Sequence, residues 1–201
     1  MEDSDTPDLS AGGWQKRYEN QETGWDRGEP SPALLSWLES GELQRSRVLV
    51  PGCGRGHEVV ELANRGYDVT AIDFAPTATK ALGDRLRDLG LSASVLQESV
   101  LDLDSDASFD VIYEQTCLCA LHPKHWEEYE RELHTSLKQD GRLLALFMQS
   151  HQSGGPPFHC GLPAMRELFS DQRWIWSAEQ ITIDHPAGMQ EIAVILSKLD
   201  P

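Results

Sequence analysis

Short apolar runs alternate with longer amphipathic segments between residues 47 and 148. The short runs are rich in β-branched and aliphatic residues, as in buried strands, and the longer segments have helical spacing. The predicted strands are Val48–Val50, Asp68–Ile72, Ser94–Gln97, Asp110–Glu114 and Arg142–Met148. The predicted helices are Glu58–Arg65, Pro76–Leu89 and Lys124–Lys138. This alternation predicts β-α-β units and a parallel sheet with helices on both faces.

The C-terminal part of the chain has a different pattern. Two strand-like runs, Arg173–Ile183 and Gln190–Lys198, are separated by a turn that contains His185, Pro186 and Gly188. Such a pair predicts an antiparallel hairpin. The expected fold class is therefore α/β and Rossmann-like, a seven-stranded and mostly parallel sheet that ends in a C-terminal antiparallel hairpin.

The N-terminal region carries three large aromatic residues before the first strand. Trp14 and Tyr18 lie four residues apart, which places both on one helix face, and Trp25 follows in a loop. Ser31 and Pro32 are a typical helix start. We expect a disordered leader at residues 1–10 and one domain at residues 11–201. Residues 11–45 would form a helical lid at its start, although the three aromatic rings could equally pack on the core.

A glycine-rich turn directly after the first strand is the strongest candidate for a cofactor site. Gly52, Gly54 and Gly56 alternate between the strand and the next helix, where free backbone N–H groups meet a ligand. The dinucleotide fingerprint requires a further glycine at the position occupied by His57. The spacing therefore favours S-adenosylmethionine (SAM) over NAD.

Two further segments fit the same crevice. Asp73 follows the second predicted strand, where a carboxylate can accept hydrogen bonds from both hydroxyls of a ribose. Asp73 could alternatively cap the next helix, and NAD-binding proteins also carry an acid here. Ser99 and Val100 follow the third strand, and their hydroxyl and backbone N–H could contact an adenine ring.

The composition limits the possible partners and compartment. The chain of 201 residues has a net charge of −16, which disfavours nucleic acids and anionic membranes as partners. It has no apolar run of transmembrane length, and its start does not resemble a signal peptide, so we expect a cytoplasmic protein. The four cysteines form no CxxC pair, and we expect thiols rather than a metal site. They are Cys53, Cys117, Cys119 and Cys160.

Three sequence motifs together resemble one enzyme family. The first is the run Val50–Glu58, the second is Trp14 and Tyr18 followed by Gly24–Asp26, and the third is Gly154–Phe158. In this order they are similar to the thiopurine S-methyltransferase family, including its plant halide and thiol methyltransferase branch. The likeness covers nearly the whole chain after the leader.

The resemblance implies a class I, SAM-dependent methyltransferase. It implies methyl transfer to the sulfur of a small thiol, or to a halide-like soft nucleophile, with S-adenosylhomocysteine as the second product. The enzyme would act as a monomer on a small molecule. The residues that the resemblance, together with the motifs above, assigns to the cofactor are Trp14, Tyr18, Trp25, Gly52, Cys53, Gly54, Asp73, Phe74, Ser99, Val100 and Gln115.

The acceptor pocket is expected around Gln115, Glu114 and Phe158. The chain departs from the family pattern here, because Glu114-Gln115 replaces Asp-Arg of the thiopurine branch and Asp-Tyr of the plant branch. Tyr18 also stands where tryptophan is common. A thiolate acceptor needs no strong general base. If a base is required, Glu114, His151 and His159 are the candidates by position.

Three alternatives stay open at the level of sequence. The same scaffold could methylate nitrogen or oxygen of a small metabolite, or it could bind SAM without turnover. An NAD-dependent oxidoreductase is the remaining possibility, and His57 weakens it.

Overall fold

The computed structural model describes residues 7–103 and 108–199. A single β-sheet runs through this part of the chain, with helices packed on both of its faces. The strands are β1 (Arg47–Pro51), β2 (Asp68–Ile72), β3 (Ser94–Leu96), β4 (Phe109–Gln115), β5 (Leu137–Gln149), β6 (Trp174–Trp176), β7 (Ile181–Asp184) and β8 (Gln190–Lys198). The α-helices are α1 (Ala11–Glu19), α2 (Pro32–Ser40), α3 (His57–Asn64), α4 (Pro76–Asp88), α5 (Trp126–Ser136) and α6 (Leu162–Leu168).

The sheet confirms the predicted α/β class and the mostly parallel arrangement. Its order is β3-β2-β1-β4-β5-β8-β6, with β1 to β5 parallel and β8 antiparallel to β5. Both β6 and β7 pair with β8, along the edge that β5 leaves free. The sheet therefore has eight strands in seven positions, because the outermost position holds two short strands.

The prediction of one continuous strand over residues 173–183 is wrong at Ser177. The Ser177 hydroxyl oxygen accepts a hydrogen bond from the backbone N–H of Ile195 at 3.2 Å. In a continuous strand, a backbone carbonyl would accept this hydrogen bond. The same hydroxyl donates to the Glu179 carbonyl at 2.9 Å. These local side-chain bonds compete with the β-ladder and end β6, and pairing resumes at β7.

The fifth strand begins earlier than its apolar pattern predicts, and α5 ends correspondingly earlier. Leu137 is fully buried, pairs with Phe109 and has an extended backbone, so the helix stops at Ser136. The register then shifts before Arg142, and Asp140 within this stretch has a φ of 59°. Between these paired positions β5 has three more residues than β4, so the pairing is locally irregular before it resumes at Arg142.

Residues on the central strands alternate between two apolar cores. On β5, Leu143, Ala145 and Phe147 face one core, together with residues of α5 and α6. Leu144 and Leu146 face the other core, together with residues of α2, α3 and α4. Burial on both faces explains why these strands are apolar throughout.

The first helix is docked at the N-terminal ends of its neighbours. Ser10, the last residue of the predicted leader, accepts a hydrogen bond from Gly13 and so caps α1. Residues 1–6 of that leader lie outside the described residues. Within residues 7–103 and 108–199, no helix is long and apolar enough to cross a membrane.

Gly56 should be sensitive to any side chain. Its φ is +67°, and a Cβ there would lie 2.4 Å from Leu82 Cδ1. We expect Gly56→Ala to lower the free energy of unfolding by about 2–5 kcal/mol, through backbone strain and overpacking. Gly90→Ala is the matched control, since Gly90 has a φ of +65° but open space around it. Urea denaturation should show a smaller loss there, of about 1–2 kcal/mol. Equal losses would contradict the steric explanation.

Candidate active site

The turn between β1 and α3 brings backbone close to the carboxyl edge of the sheet. Gly52 has a φ of +59°, and a Cβ at this position would lie 2.7 Å from the Cys117 sulfur. Glycine is therefore required by the packing of the turn as well as by its backbone geometry. Cys53 donates its N–H to the Ile72 carbonyl at 2.9 Å, which ties the turn to the end of β2.

Asp73 directly follows β2 and joins two turns. One carboxylate oxygen accepts the Gly54 N–H at 2.9 Å, and the other accepts the Ala75 N–H at 2.8 Å. Burial raises the pKa of Asp73, and these two backbone donors oppose that effect. The side chain also lines the cavity described below, so its remaining acceptor capacity faces a ligand.

The three N-terminal aromatic residues form one cluster over this edge. Trp25 packs edge-on against both Trp14 and Tyr18, with ring centroids 5.2 and 5.7 Å apart. All three line the cavity, whereas Trp37 of α2 packs in the core against Tyr113. The structure thus places the first three rings at the site rather than in the main core.

Hydrogen bonds hold the N-terminal segment, residues 11–45, to the rest of the domain. The Gln15 amide accepts from the Thr77 N–H at 3.0 Å and donates to the Thr77 hydroxyl at 2.6 Å, at the start of α4. Asp26 pairs with His57 at 2.8 Å and with Arg55 at 3.3 Å. The hydrogen bond to His57 is the largest cause of the lowered pKa of Asp26.

A cavity of about 310 Å³ lies between the N-terminal segment, the glycine turn and the C-terminal hairpin. A smaller cavity of about 60 Å³ adjoins it along the glycine turn, and the two share Tyr18, Trp25, Gly52 and Thr116. Of the residues predicted to bind the cofactor, the larger cavity is lined by Trp14, Tyr18, Trp25, Gly52, Asp73 and Phe74. The smaller one is also lined by Cys53, Gly54 and Gln115.

Four predicted site residues do not line either cavity. Val100 is 2% exposed in the core, and the Ser99 hydroxyl accepts the Leu101 N–H at 3.1 Å. The Phe158 ring packs against His122, although Pro156 and Pro157 of the same loop line the larger cavity. Glu114, the fourth, lies beneath the turn that follows β4.

Glu114 holds that turn together. Its Oε1 accepts the N–H groups of both Cys117 and Leu118, at 3.1 and 2.7 Å. The turn requires these bonds because Thr116 has a φ of 57°. Complete burial raises the pKa of Glu114 to about 7. The side chain therefore acts on the shape of the cavity rather than from its wall.

Gln115 belongs to a buried polar network. Its amide nitrogen donates to both carboxylate oxygens of Glu191, at 3.0 and 3.3 Å, and its amide oxygen accepts the Tyr113 hydroxyl at 2.8 Å. Burial raises the pKa of Glu191 to about 7. The network joins β4 to β8 and fixes the orientation of the Gln115 side chain.

The remaining base candidates lie away from the larger cavity. The rings of His151 and His159 stack on each other with centroids 4.8 Å apart, and neither lines the larger cavity. Burial, and secondarily the nearby His151, lower the pKa of His159.

Sequence reasoning missed the contribution of the C-terminal hairpin. His185, Ala187 and Met189 line the larger cavity, opposite Met148 at the end of β5. His185 is buried, and burial followed by the charge of Arg27 lowers its pKa to about 4. The Pro-Gly turn was a visible signal for a hairpin, but only the pairing of β7 with β8 brings it to this edge.

The site therefore combines a carboxylate, a close-approach backbone turn, an aromatic cluster and an apolar pocket. A ribose with two hydroxyls fits Asp73, and the electron-rich ring faces fit a cation such as a sulfonium. The pocket beyond them is lined by Thr116, Cys119, Ala120, Met148 and Met189. These features suit a SAM-type cofactor beside a small second reactant.

The sequence model of the thiopurine S-methyltransferase family matches residues 9–198. The chain belongs to this family. It is therefore a SAM-dependent S-methyltransferase, and S-adenosylmethionine is its methyl donor.

Two relatives represent two branches of the family. A probable thiol methyltransferase 2 of Arabidopsis thaliana is 34% identical over 152 residues, covering 74% of this chain and 67% of that protein. A thiopurine S-methyltransferase of Aliivibrio fischeri (strain MJ11) is 29% identical over 180 residues, covering 80% of this chain and 83% of that protein.

Solved structures confirm the class I methyltransferase fold. One, from work on the conversion of a disulfide bond into a thioacetal group in echinomycin biosynthesis, has a TM-score of 0.80 at 20% identity. It covers 94% of this chain and 92% of its own. The Burkholderia thailandensis 1,6-didemethyltoxoflavin-N1-methyltransferase has a TM-score of 0.76 at 21% identity, covering 96% and 88%. These likenesses concern the fold.

The buried Glu114 should give the protein a specific dependence of stability on pH. The pKa of this carboxyl rises from 4.5 to about 7 on folding, so between these values the native protein keeps a proton that the unfolded chain releases. Its contribution to stability therefore falls as the pH rises, by up to about 1.4 kcal/mol per pH unit.

Glu114→Gln removes this titration and keeps an oxygen that can accept both N–H bonds. We expect the variant to gain stability relative to the wild type by about 2 kcal/mol between pH 5 and pH 7. Urea denaturation at several pH values measures the difference. A constant difference across this range would show that the carboxyl does not titrate as described.

Proposed function

We propose that this enzyme transfers the methyl group of SAM to the sulfur of a small, apolar thiol, or to a comparable soft nucleophile. The observation that carries the proposal is the composition of the pocket next to Gly52 and Asp73. Part of its wall is aliphatic or contains sulfur, namely Cys119, Ala120, Met148 and Met189. Arg17, Glu22 and Asp73 are the charged residues of the same lining, and the Arg17 guanidinium packs over the Trp14 ring. The sulfur-containing part of the wall favours a polarisable acceptor.

The donor site is proposed at the glycine turn. Asp73 would accept hydrogen bonds from the ribose hydroxyls, and Gly52 would lie along the amino-acid end of the cofactor, with Cys53 and Gly54. Trp14, Tyr18 and Trp25 would cover the sulfonium, and Phe74 would continue the wall. The adenine contact of Ser99 and Val100 and the acceptor-side role of Phe158 stay proposals, since none of these residues lines the cavity.

SAM supplies a methyl group that is already activated by the positive sulfur. The chain's own residues therefore act mainly by placing the two reactants in line and excluding water. The N-terminal segment is proposed to serve the second role as a lid, because its three aromatic rings line the cavity.

The nature of the acceptor follows from the proton that it must lose. A thiol is partly ionised near neutral pH and its thiolate is a strong nucleophile, whereas an amine or a phenol usually needs a base within hydrogen-bond reach. In the lining of the larger cavity, Asp73 is engaged by two backbone N–H groups, and the exposed Glu22 accepts a hydrogen bond from the Asn20 amide at 3.3 Å. The pKa of His185 is lowered to about 4, which leaves its ring a weak base. These facts favour sulfur over nitrogen or oxygen.

The pocket also argues for a small acceptor. The volume of about 310 Å³ lies at the lower end of the range for ligand sites and must accommodate part of the cofactor as well. We further propose a cytoplasmic monomer that acts on a free metabolite. The net charge of −16 and the four free, buried cysteines support this setting.

The ribose assignment can be tested through binding alone. We expect Asp73→Asn to weaken binding of S-adenosylhomocysteine by about 10- to 100-fold, because a charge-assisted acceptor is lost. Isothermal titration measures the affinity, and thermal denaturation of the free variant checks that the two turns remain folded. Unchanged affinity in a folded variant would contradict the assignment.

The acceptor class can be tested with a panel of nucleophiles. Release of S-adenosylhomocysteine should be fastest with hydrosulfide, methanethiol and similar small thiols, followed by iodide. It should be slow with carboxylated aromatic thiols, amines and phenols. Faster turnover of an amine or a phenol than of every thiol would overturn the proposal, and absence of any turnover would favour a non-catalytic SAM-binding protein.

The size limit can be tested by filling the pocket. Ala120 lines the cavity, and we expect Ala120→Leu to raise the KM of a larger thiol by about 10-fold or more, with a smaller effect on hydrosulfide. Ala81→Leu on the exposed side of α4 is the matched control. Equal effects of Ala120→Leu on large and small thiols would place the acceptor elsewhere.

A further inference from the structure

The smaller cavity has an unusual arrangement of charge. It is lined by the glycine turn from Gly52 to Gly56 and by Arg27, Glu58 and Gln115. The other acidic and basic residues of its lining are Asp26, Glu29, Arg55 and His57. If the proposed function is correct, the amino-acid end of the cofactor lies here. That end is a zwitterion with one carboxylate and one ammonium group, so each needs a partner of opposite charge.

Two acids, one half-buried and one fully buried, act against a carboxylate ligand in this cavity. Glu58 accepts the Ser31 N–H at 3.1 Å, and Glu191 lies behind Gln115 with its side chain fully buried. Burial raises the pKa of both groups, and the charge of Arg27 opposes that effect on each of them. The acids suit an ammonium group, and a bound carboxylate requires a cation to offset them.

Arg27 supplies a cation in the lining of the smaller cavity. One guanidinium nitrogen, Nη2, donates to the Asp184 carbonyl at 2.7 Å and lies 3.6 Å from Glu191. The side chain is 15% exposed, so it is held between the lid and the hairpin. Among the contacts of the described residues, Nε is buried and has no hydrogen-bond partner. A guanidinium has five donors in a planar fork, and this one has donors to spare beside the cavity.

The other arginine that lines the same cavity, Arg55, already forms an ion pair. Arg55 pairs with Asp26 at 3.3 Å, and its side chain is 42% exposed. Its charge is therefore both neutralised and screened by solvent.

We propose that Arg27 binds the carboxylate of the amino-acid end of the cofactor, and that Glu191 is the positioning residue that holds the guanidinium at this point.

The test compares two ligands that differ in one group. S-adenosylhomocysteine carries the carboxylate, and its decarboxylated analogue keeps the ammonium, ribose and adenine. We expect Arg27→Gln to weaken binding of S-adenosylhomocysteine by about 10- to 100-fold and to change binding of the analogue by less than about threefold. Isothermal titration supplies both affinities without any methyl acceptor.

Two further variants serve as controls for this experiment. Arg55→Gln removes a charge from the same cavity, and it should affect both ligands to the same extent. Thermal denaturation of each unliganded variant reports folding. If Arg27→Gln does not fold, Arg27→Lys replaces it, and it should still penalise S-adenosylhomocysteine more than the analogue, because lysine lacks the planar fork.

The possible failures are distinguishable. Equal weakening of both ligands by Arg27→Gln, or no weakening of either, would overturn the inference and leave the arginine as a structural tie. Failure of the wild-type protein to bind S-adenosylhomocysteine at all would instead overturn the proposed function.

Discussion

The Asp73 carboxylate connects the two turns on which the site is built. It accepts one N–H from the glycine turn after β1 and one from the start of α4. Both turns occupy the carboxyl edge of neighbouring parallel strands, so this single buried group sets their distance. The glycine turn in turn rests on Cys117 after β4, and that segment is held by Glu114. A chain of short polar contacts thus links the ends of three strands.

The N-terminal segment is tied to the same sheet edge. Gln15 binds the first turn of α4, Asp26 binds His57 at the first turn of α3, and Arg27 reaches the C-terminal hairpin. Two of these attachments use backbone groups, the Thr77 N–H in the first turn of α4 and the Asp184 carbonyl at the end of β7. The aromatic cluster is consequently fixed over the crevice by polar bonds around its border, and the Arg17 guanidinium packs over the Trp14 ring.

Sequence periodicity was sufficient to predict the central strands. They are buried on both faces, so each of them is a short apolar run that can be recognised without knowledge of the rest of the chain. The interruption at Ser177 was not predictable, since it depends on the N–H of Ile195, which lies far along the chain. Glu114 and Gln115 illustrate the same limit. Adjacent strand residues point to opposite faces, but which of them borders a cavity depends on the turn at Thr116 and on Glu191. Phe158 likewise turns away because its backbone bonds to Cys119.

Cys119 lies in the wall of a pocket that we assign to thiol acceptors. A thiolate in that wall would compete with the substrate for the methyl group and would inactivate the enzyme by alkylating it. Burial, followed by the nearby Cys160 and Glu114, raises the pKa of Cys119 well above that of a free cysteine. The thiol therefore stays protonated and poorly nucleophilic. The packing that makes the pocket polarisable also protects the protein from methylating itself.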